Sequence, residues 1–220
     1  MPTDSAAADW LVARRRARLV EHLRAKGIAD ERVLAAIGAV PRHELMDGLR
    51  QRAYLDEALP IGLQQTISQP FTVARMTELL APAPGERVLE VGTGSGYQAA
   101  VLEELGARVF SVERHAPLAE RTAATLKRLG YRARTRVGDG TYGWPGYAPF
   151  DGIVVTAGGA VPDELLAQLR PPREGRPDAR MVIPVGPPER QELHRITRVG
   201  EDAYGTETFD AVLFVPLVRG

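Results

Sequence analysis

The sequence predicts an α/β fold in which a doubly wound, mostly parallel sheet is covered by helices. Between residues 87 and 185, short β-branched segments alternate with helical ones, which is the order typical of parallel strands. Two further apolar segments near the end favour antiparallel strands at one edge of this Rossmann-like sheet. Two helical patterns in the first forty residues predict an N-terminal helical extension.

The spacing of apolar residues predicts each element. Trp10, Leu11, Leu19 and Leu23 recur at roughly helical spacing and predict a first helix that packs on a larger body. The predicted helices span residues 8–24, 29–37, 72–80, 97–105, 117–129 and 162–169, and the predicted strands span 87–91, 108–113, 132–139, 150–156, 180–185, 192–199 and 208–218. The stretch PPREGRPDA at 171–179 has the composition of an exposed loop.

Length and composition limit the domain count. With 220 residues and 44% hydrophobic content, the chain can bury one substantial core. We therefore predict a single domain over residues 1–220. Within it, residues 1–80 form helices and a substrate-side loop, and residues 81–220 form the cofactor-binding core and the final strands.

Charge and cysteine content exclude several classes of function. Basic and acidic residues both number 28, so no net charge draws the chain to nucleic acid or to an acidic membrane. The run RRRAR at 14–18 is expected to be a solvated helix face. The absence of cysteine excludes disulfides, thiolate metal ligands and a thiol nucleophile. No apolar run reaches membrane-spanning length, and we expect a cytoplasmic monomer.

The stretch VLEVGTGSGYQAA at 88–100 places a glycine loop between a strand and a helix, where α/β sheets bind ligands. Gly92, Gly94 and Gly96 have GxGxG spacing, whereas a dinucleotide fingerprint requires GxGxxG to cradle a pyrophosphate. Here the third glycine comes one residue early, and Tyr97 follows it. The spacing therefore disfavours the alternative of a nicotinamide-dependent oxidoreductase.

Acidic residues follow three successive predicted strands around this loop. Glu90 precedes Gly92 by two residues, where it would repel a pyrophosphate and attract a ligand that carries an ammonium and a sulfonium. Glu113 is placed to accept hydrogen bonds from ribose hydroxyls, and Asp139 to accept from an adenine amino group. Each acid alone is equally well explained as a turn or cap residue. Together they predict a methyltransferase that uses S-adenosylmethionine, with no metal.

A second unusual stretch, LPIGLQQTISQPF at 59–71, precedes the predicted helix 72–80. One interpretation is that Ser68 caps this helix and Pro70 occupies its first turn. That interpretation leaves the polar string from Gln64 to Gln69 unexplained. Its composition suits the lining of a shallow polar cleft.

Eight motifs, taken in order, resemble those of the protein-L-isoaspartate O-methyltransferases. They are VPRHEL (40–45), LPIG and QTISQP (within 59–70), VLEVGTGSGYQAAVL (88–102), SVER (111–114), VGDG (137–140), FDGIVVTA (150–157), MVIPVG (181–186) and FVPL (214–217). QTISQP and FVPL are more specific than the glycine loop, which many methyltransferases share. The resemblance implies methylation of the free α-carboxylate of isoaspartyl residues in damaged peptides and proteins, followed by closure of the ester to a succinimide.

The resemblance also implies roles for particular residues. Ser68 is expected to touch the substrate carboxylate as the catalytic residue, with Gln65, Thr66 and Ile67 shaping its loop and the backbone at Phe214 and Val215 holding the substrate main chain. The expected cofactor-binding residues are Glu90, Gly92, Thr93, Gly94, Ser95, Gly96, Tyr97, Glu113, Arg114, Asp139, Gly140 and Thr156. Because a carboxylate attacks a sulfonium without a strong base, His43, His115 and His194 are expected to be surface or packing residues.

Two departures from the family pattern leave alternatives open. Leu63 and Gln64 stand where family members commonly have His and Gly, and a longer PPREGRPDARM segment replaces a short turn. We interpret the longer segment as a surface elaboration. Leu63 and Gln64 keep open the alternative of an enzyme retargeted to a dedicated peptide or a small-molecule carboxylate. A binding module without catalytic activity is the third possibility.

Overall fold

The computed structural model describes residues 4–220 and confirms the predicted α/β architecture; residues 1–3 of the predicted domain lie outside the described residues. The α-helices are α1 (Asp4–Ala25), α2 (Glu31–Ala39), α3 (Pro70–Leu80), α4 (Tyr97–Glu104), α5 (Ala116–Arg128) and α6 (Asp163–Leu166). The strands are β1 (Leu59–Gly62), β2 (Gln65–Ile67), β3 (Arg87–Val91), β4 (Arg108–Glu113), β5 (Arg134–Val137), β6 (Gly152–Val155), β7 (Arg180–Val185), β8 (Gln191–Arg198) and β9 (Tyr204–Val212).

Seven strands form one sheet in the order β5-β4-β3-β6-β7-β8-β9. Strands β3 to β7 pair in parallel, and β8 and β9 add to one edge in antiparallel orientation, which confirms the predicted edge. From β3 the chain continues through β4 to β5 toward one edge of the sheet. From β6 it continues through β7 and β8 to β9 toward the other edge. This reversal creates a switch point at the carboxyl ends of β3 and β6, where such sheets bind ligands.

Apolar side chains cover both faces of the central strands. All four residues of β6 are buried, as expected for a strand between two helical layers. On one face, the core contains Leu23, Ile37, Met76 and Leu102 from the first four helices. On the other face, Phe110, Phe150 and Leu169 lie in a second cluster. Burial on both sides explains why these strands form near-continuous apolar runs in the sequence.

A small antiparallel hairpin, β1 and β2, lies outside the main sheet and was not among the predicted elements. Leu59 and Ile67 are paired across it, and both are buried. Pro60 faces outward in the same strand, as is usual for proline at a sheet edge. The polar string of the sequence is therefore carried on a two-stranded ribbon.

The predicted helix at 162–169 is wrong in its second half, because α6 ends at Leu166. The backbone beyond it pairs with an incoming segment: Phe150 N–H donates to the Gln168 carbonyl at 2.8 Å, and Arg170 N–H donates to the Phe150 carbonyl at 2.8 Å. The last predicted strand, 208–218, likewise ends early, at Val212. In both places tertiary pairing overrides the local pattern.

The first helix differs from its prediction at two points. Leu19 and Leu23 are buried, but Trp10 and Leu11 are exposed, so only the second half of the apolar pattern packs on the body. The RRRAR run is not solvated throughout either. Arg16 is half-buried and donates to the carbonyls of Gly38 and Ala39, both at 3.2 Å, where a cation stabilises the carboxyl end of α2. Among residues 4–220, no helix is both long and apolar enough to cross a bilayer.

The 171–179 segment is exposed along most of its length, as predicted, yet a buried ion pair anchors its base. Arg170 Nε donates to Asp151 Oδ1 at 2.6 Å, with side chains 4% and 8% exposed. Arg170 also donates to the carbonyls of Pro171 and Pro177. The second oxygen of Asp151 accepts from Arg87 N–H at 3.0 Å. The pair thereby ties the loop to the start of β3.

Asp151→Ala should destabilise the protein by about 3–5 kcal/mol, because it leaves the buried Arg170 guanidinium without its counter-charge. Urea unfolding of the variant measures this loss. Asp178→Ala, which removes an exposed carboxylate from the same loop, is the control and should stay within about 0.5 kcal/mol of the parent. Equal stability of the two variants would contradict the anchoring role.

Candidate active site

A cleft of about 1390 Å³ opens at the switch point of the sheet. It brings together most of the residues that the sequence singled out. Those that line it are Gln65, Thr66, Ser68, Glu90, Gly92, Thr93, Gly94, Ser95, Tyr97, Glu113, Arg114, Gly140, Thr156, Phe214 and Val215. Three predicted residues, Ile67, Gly96 and Asp139, lie outside the lining.

The glycine loop follows β3 and is shaped by close backbone contacts. Gly92 has φ +95°, and a Cβ at this position would lie 2.4 Å from Thr156 Oγ1. Thr156 follows β6, and its hydroxyl donates to the Gly92 carbonyl at 2.7 Å. Only glycine therefore allows the two loops at the switch point to meet. A Cβ at Gly96 would lie 2.8 Å from Thr122 Cγ2, so this glycine serves the packing of the loop on α5.

Glu90 lies at the bottom of the cleft and is fully buried. Its Oε2 accepts a hydrogen bond from Ser111 Oγ at 2.5 Å, and Ser111 Oγ in turn accepts from Thr93 Oγ1 at 2.6 Å. Its Oε1 has no hydrogen-bond partner within residues 4–220. A buried acceptor without a donor is unfavourable, so this atom marks a position that fits a donor group from a ligand.

Burial raises the pKa of the Glu90 carboxyl group to about 8, since an ionised carboxylate is poorly solvated there. The Ser111 hydroxyl opposes this shift, and the nearby charge of Glu113 adds to it. The protonated form of the carboxyl group is therefore favoured near neutral pH when no cation lies beside it. A cationic group beside it would favour the ionised form, so the site fits the ammonium-bearing donor inferred from the sequence.

Glu113 ends β4 and links that strand to the glycine loop. Its Oε2 accepts from Gly94 N–H at 2.9 Å, and its Oε1 accepts from His115 N–H at 3.0 Å. Each carboxylate oxygen has a second lone pair, so both remain able to accept from a pair of ribose hydroxyls. The arrangement fits the predicted role of Glu113.

Asp139 is placed less favourably for its predicted contact with adenine. Its Oδ1 accepts from the N–H and the hydroxyl of Thr141, and its Oδ2 accepts from Gly220 N–H at 3.0 Å. Both oxygens thus already accept hydrogen bonds from other groups of the protein. The neighbouring Gly140 lines the cleft, whereas Asp139 does not. The adenine contact stays a prediction.

Ser68 lies between β2 and α3 and lines the cleft. The interpretation that it caps α3 is wrong, because the residue at the cap position is Gln69 and its side chain makes no capping bond. Asp56 performs this role from the preceding segment, since its Oδ1 accepts from Phe71 N–H at 2.8 Å. The Ser68 hydroxyl is therefore not used by the helix terminus, which favours a role toward substrate.

The two other parts of the predicted substrate set are placed differently. Ile67 is 1% exposed and belongs to the core, so its side chain supports the hairpin from below. At Phe214, the N–H donates to Gln191 Oε1 at 2.7 Å and the carbonyl accepts from Gln191 Nε2 at 3.3 Å. The Val215 carbonyl accepts from Gly158 N–H at 2.8 Å. Much of the backbone expected to hold a substrate is thus already paired, and that expectation stays a prediction.

Sequence reasoning missed Gln191 and a second group, Arg75 with Asp210. Arg75 Nε donates to Asp210 Oδ2 at 2.8 Å, and its Nη1 donates to Glu78 Oε2 at 2.9 Å. Arg75 and Asp210 both line the cleft, and their ion pair joins α3 to β9. No motif signals it, because the partners lie far apart in the chain.

Possible metal ligands and the histidines are the remaining candidates for chemistry at the site. No group of three or more His, Cys, Asp or Glu side chains gathers into a metal site within residues 4–220. His115 lines the cleft. His43 Nδ1 lies 2.7 Å from the Tyr54 hydroxyl, and burial holds the pKa of its imidazole below the usual value.

The switch-point cleft, the GxGxG loop and the acidic residues at the ends of β3 and β4 define an S-adenosylmethionine-dependent methyltransferase. Comparison with known proteins narrows this class. The model of the protein-L-isoaspartate(D-aspartate) O-methyltransferase family matches residues 14–220. The chain belongs to this family, as the sequence motifs had implied.

Similar proteins cover nearly the whole chain. A protein-L-isoaspartate O-methyltransferase of Salinibacter ruber is 59% identical over 92% of this chain and 91% of its own length. One from Methylorubrum extorquens is 52% identical over 94% of this chain and 90% of its own length. A solved protein-L-isoaspartate O-methyltransferase superposes with a TM-score of 0.82 at 28% identity, over 93% of this chain and 66% of that one. A candidate enzyme of this kind from Plasmodium falciparum, solved in complex with S-adenosyl-L-homocysteine, has a TM-score of 0.77 at 23% identity, over 92% of this chain and 98% of that one, and supports the fold.

Glu90→Gln should flatten the pH dependence of stability of the ligand-free protein. Between the unfolded value of 4.5 and the folded value of about 8, the native state holds a proton that the unfolded state has released. The parent therefore loses stability as the pH rises through this range, and a neutral amide does not. Urea unfolding at pH 6 and pH 8.5 measures the difference.

The exposed Glu120→Gln is the control and should follow the parent profile. A Glu90→Gln profile that ran parallel to the parent would show that Glu90 is ionised in the native state, contrary to the expected protonation.

Proposed function

We propose that this protein transfers a methyl group from S-adenosylmethionine to the α-carboxylate of L-isoaspartyl residues in damaged peptides and proteins. The observation that carries the proposal is a single cleft shared by Ser68 and the acidic cofactor pocket around Glu90 and Glu113. The similar proteins from Salinibacter ruber and Methylorubrum extorquens bear the name of this activity. Their identity of 59% and 52% over 92% and 94% of this chain supports the same substrate class here.

The residues of the cleft position and shield the reactants. The donor supplies an electrophilic methyl group, which moves to a carboxylate oxygen while the carbon–sulfur bond breaks and leaves a neutral thioether. Glu90 and Glu113 hold the cationic and ribose parts of the donor. The Ser68 hydroxyl donates a hydrogen bond to the substrate carboxylate and sets its direction of approach. No general base is needed, because a carboxylate is already ionised at neutral pH.

The loops on the other side of the cleft would hold the peptide. Gln65 and Thr66 of β2 line the cleft beside Ser68, and Phe214 and Val215 line it from a second segment. We infer that the isoaspartyl peptide lies between these two segments. The zero formal charge of the chain gives it no general attraction to nucleic acid or acidic membranes, and we propose that it acts on peptides as a cytoplasmic monomer.

The test is a pair of synthetic peptides that differ only in an isoaspartyl or an aspartyl linkage. Labelled methyl from S-adenosylmethionine should be incorporated into the isoaspartyl peptide and remain at background with its aspartyl twin. Donor binding without methylation of either peptide would contradict the proposal. Methylation of a small carboxylic acid in place of the peptide would favour the retargeted enzyme, and no turnover with any acceptor would favour a binding module.

Ser68→Ala should lower kcat/KM for the isoaspartyl peptide by about 10–100-fold, since loss of one positioning bond misaligns the attacking oxygen. Donor affinity, measured by calorimetry, should stay unchanged. Ser68→Thr retains the hydroxyl and is the matched control, expected to keep a substantially larger share of the activity. If Ser68→Ala turned over at the parent rate, the hydroxyl would have no part in catalysis.

A further inference from the structure

The hairpin beside Ser68 turns through two residues with unusual backbone geometry. Leu63 and Gln64 have φ of 52° and 57°, and they connect the paired residues Gly62 and Gln65. A two-residue connection with positive φ at both positions is typical of a type I′ turn, which Asn-Gly adopts readily. Leucine and glutamine are disfavoured there, because their Cβ approaches the following carbonyl oxygen. Strain of this kind beside a binding cleft points to a functional side chain.

Leu63 is large and apolar, yet 52% of it is exposed at the cleft. A second leucine on a separate segment behaves in the same way. Leu213 is 74% exposed, lines the same cleft and directly precedes Phe214, where the peptide is expected to lie. Because both leucines line the cleft, a ligand bound there would cover apolar surface on two segments.

The size and charge of the cleft indicate which ligand covers these leucines. At about 1390 Å³, the cleft exceeds the range of roughly 300–1000 Å³ that a small molecule fills, so it leaves room for peptide residues beside the donor. The charged residues that line it include both signs: Arg75, Arg190, Glu189 and Asp210. Because both signs of charge are present, the cleft favours neither an acidic nor a basic side chain next to the isoaspartyl residue of a bound peptide. The leucines supply the apolar contact.

We propose that Leu63 and Leu213 form an apolar contact for a side chain next to the isoaspartyl residue and make the enzyme select peptides with an apolar neighbour. This inference rests on the proposed function, because the occupant is the peptide whose carboxylate reaches Ser68. Peptides held along an extended segment place alternate side chains against the protein. The two leucines are specificity determinants and take no part in the transfer itself.

A panel of isoaspartyl peptides tests the inference, with Leu, Ala, Asp or Lys at the positions immediately before and after the isoaspartyl residue. For the parent enzyme, kcat/KM should be about 10-fold higher with Leu than with Ala on the favoured side. The higher kcat/KM should come mainly from a lower KM, with kcat nearly the same for the two peptides. Methylation of all peptides at similar efficiency would overturn this inference and leave the proposed function standing. Methylation of none would remove the proposed function and this inference with it.

Leu63→Asn and Gln64→Asn form a matched pair, because asparagine tolerates the left-handed region and each variant relieves strain at one position of the same turn. Both should raise Tm, by about 2–4 °C. Only Leu63→Asn should lose the preference for Leu over Ala, to within about twofold. Leu213→Ser provides a second variant on the other segment, and it should weaken the preference without affecting the turn.

Two outcomes with the variants overturn the inference. If Leu63→Asn and Leu213→Ser both kept the parent preference, the leucines would not touch the flanking side chain. If Gln64→Asn lost the preference as fully as Leu63→Asn, the conformation of the turn would govern selection and not the leucine side chain.

Discussion

The buried carboxyl group of Glu90 is the constraint from which the geometry of the cleft follows. It is enclosed at the end of β3 and held by Ser111, its direct partner in the register of β3 and β4. A shift of one residue in that register would place Ser111 on the opposite face of the sheet and would leave the carboxyl group without its hydrogen bond from Ser111. The register is fixed by the apolar side chains of both strands, so the core of the protein also determines the chemistry of its cofactor pocket. Binding free energy from a cation offsets the unfavourable burial of this group.

The substrate side of the cleft depends on longer connections. Ser68 follows a hairpin that does not belong to the main sheet, so its position depends on side chains that tie the hairpin and α3 to their surroundings. Asp56 binds the start of α3 through Phe71 N–H, and Arg75 joins the same helix to Asp210 in β9. These contacts connect the segment that carries Ser68 with the segment at Phe214. A peptide between them would therefore contact two walls whose separation is set by a half-buried ion pair, which is less screened by salt than an exposed pair.

The sequence predicted the sheet, its antiparallel edge and most of the residues that line the switch-point cleft near the glycine loop, because these depend on local patterns. Strand periodicity, the GxGxG spacing and an acid after each strand are all readable within a few residues of Gly92 and Glu113. The errors occur where distant segments decide the outcome. Backbone hydrogen bonds with Phe150 end the helix predicted at 162–169 before its last residues. Asp56, and not Ser68, accepts the hydrogen bond at the start of α3. Gln191 and the pairing of Arg75 with Asp210 lie at positions that no short motif marks, since their partners are brought together only by the completed fold.

The charges of the reactants explain why such a site needs little chemical machinery. An anionic carboxylate and a cationic sulfonium give two neutral products, so charge disappears along the reaction and a weakly solvating cleft favours the transition state over the separated, hydrated ions. A strong base would add nothing, because the nucleophile is ionised several pH units below neutrality. This agrees with the surroundings of His43, whose imidazole is engaged by the Tyr54 hydroxyl away from the cleft lining. What remains for the protein is alignment of the two reactants, which is the role proposed for Ser68 and for the carboxyl groups of Glu90 and Glu113.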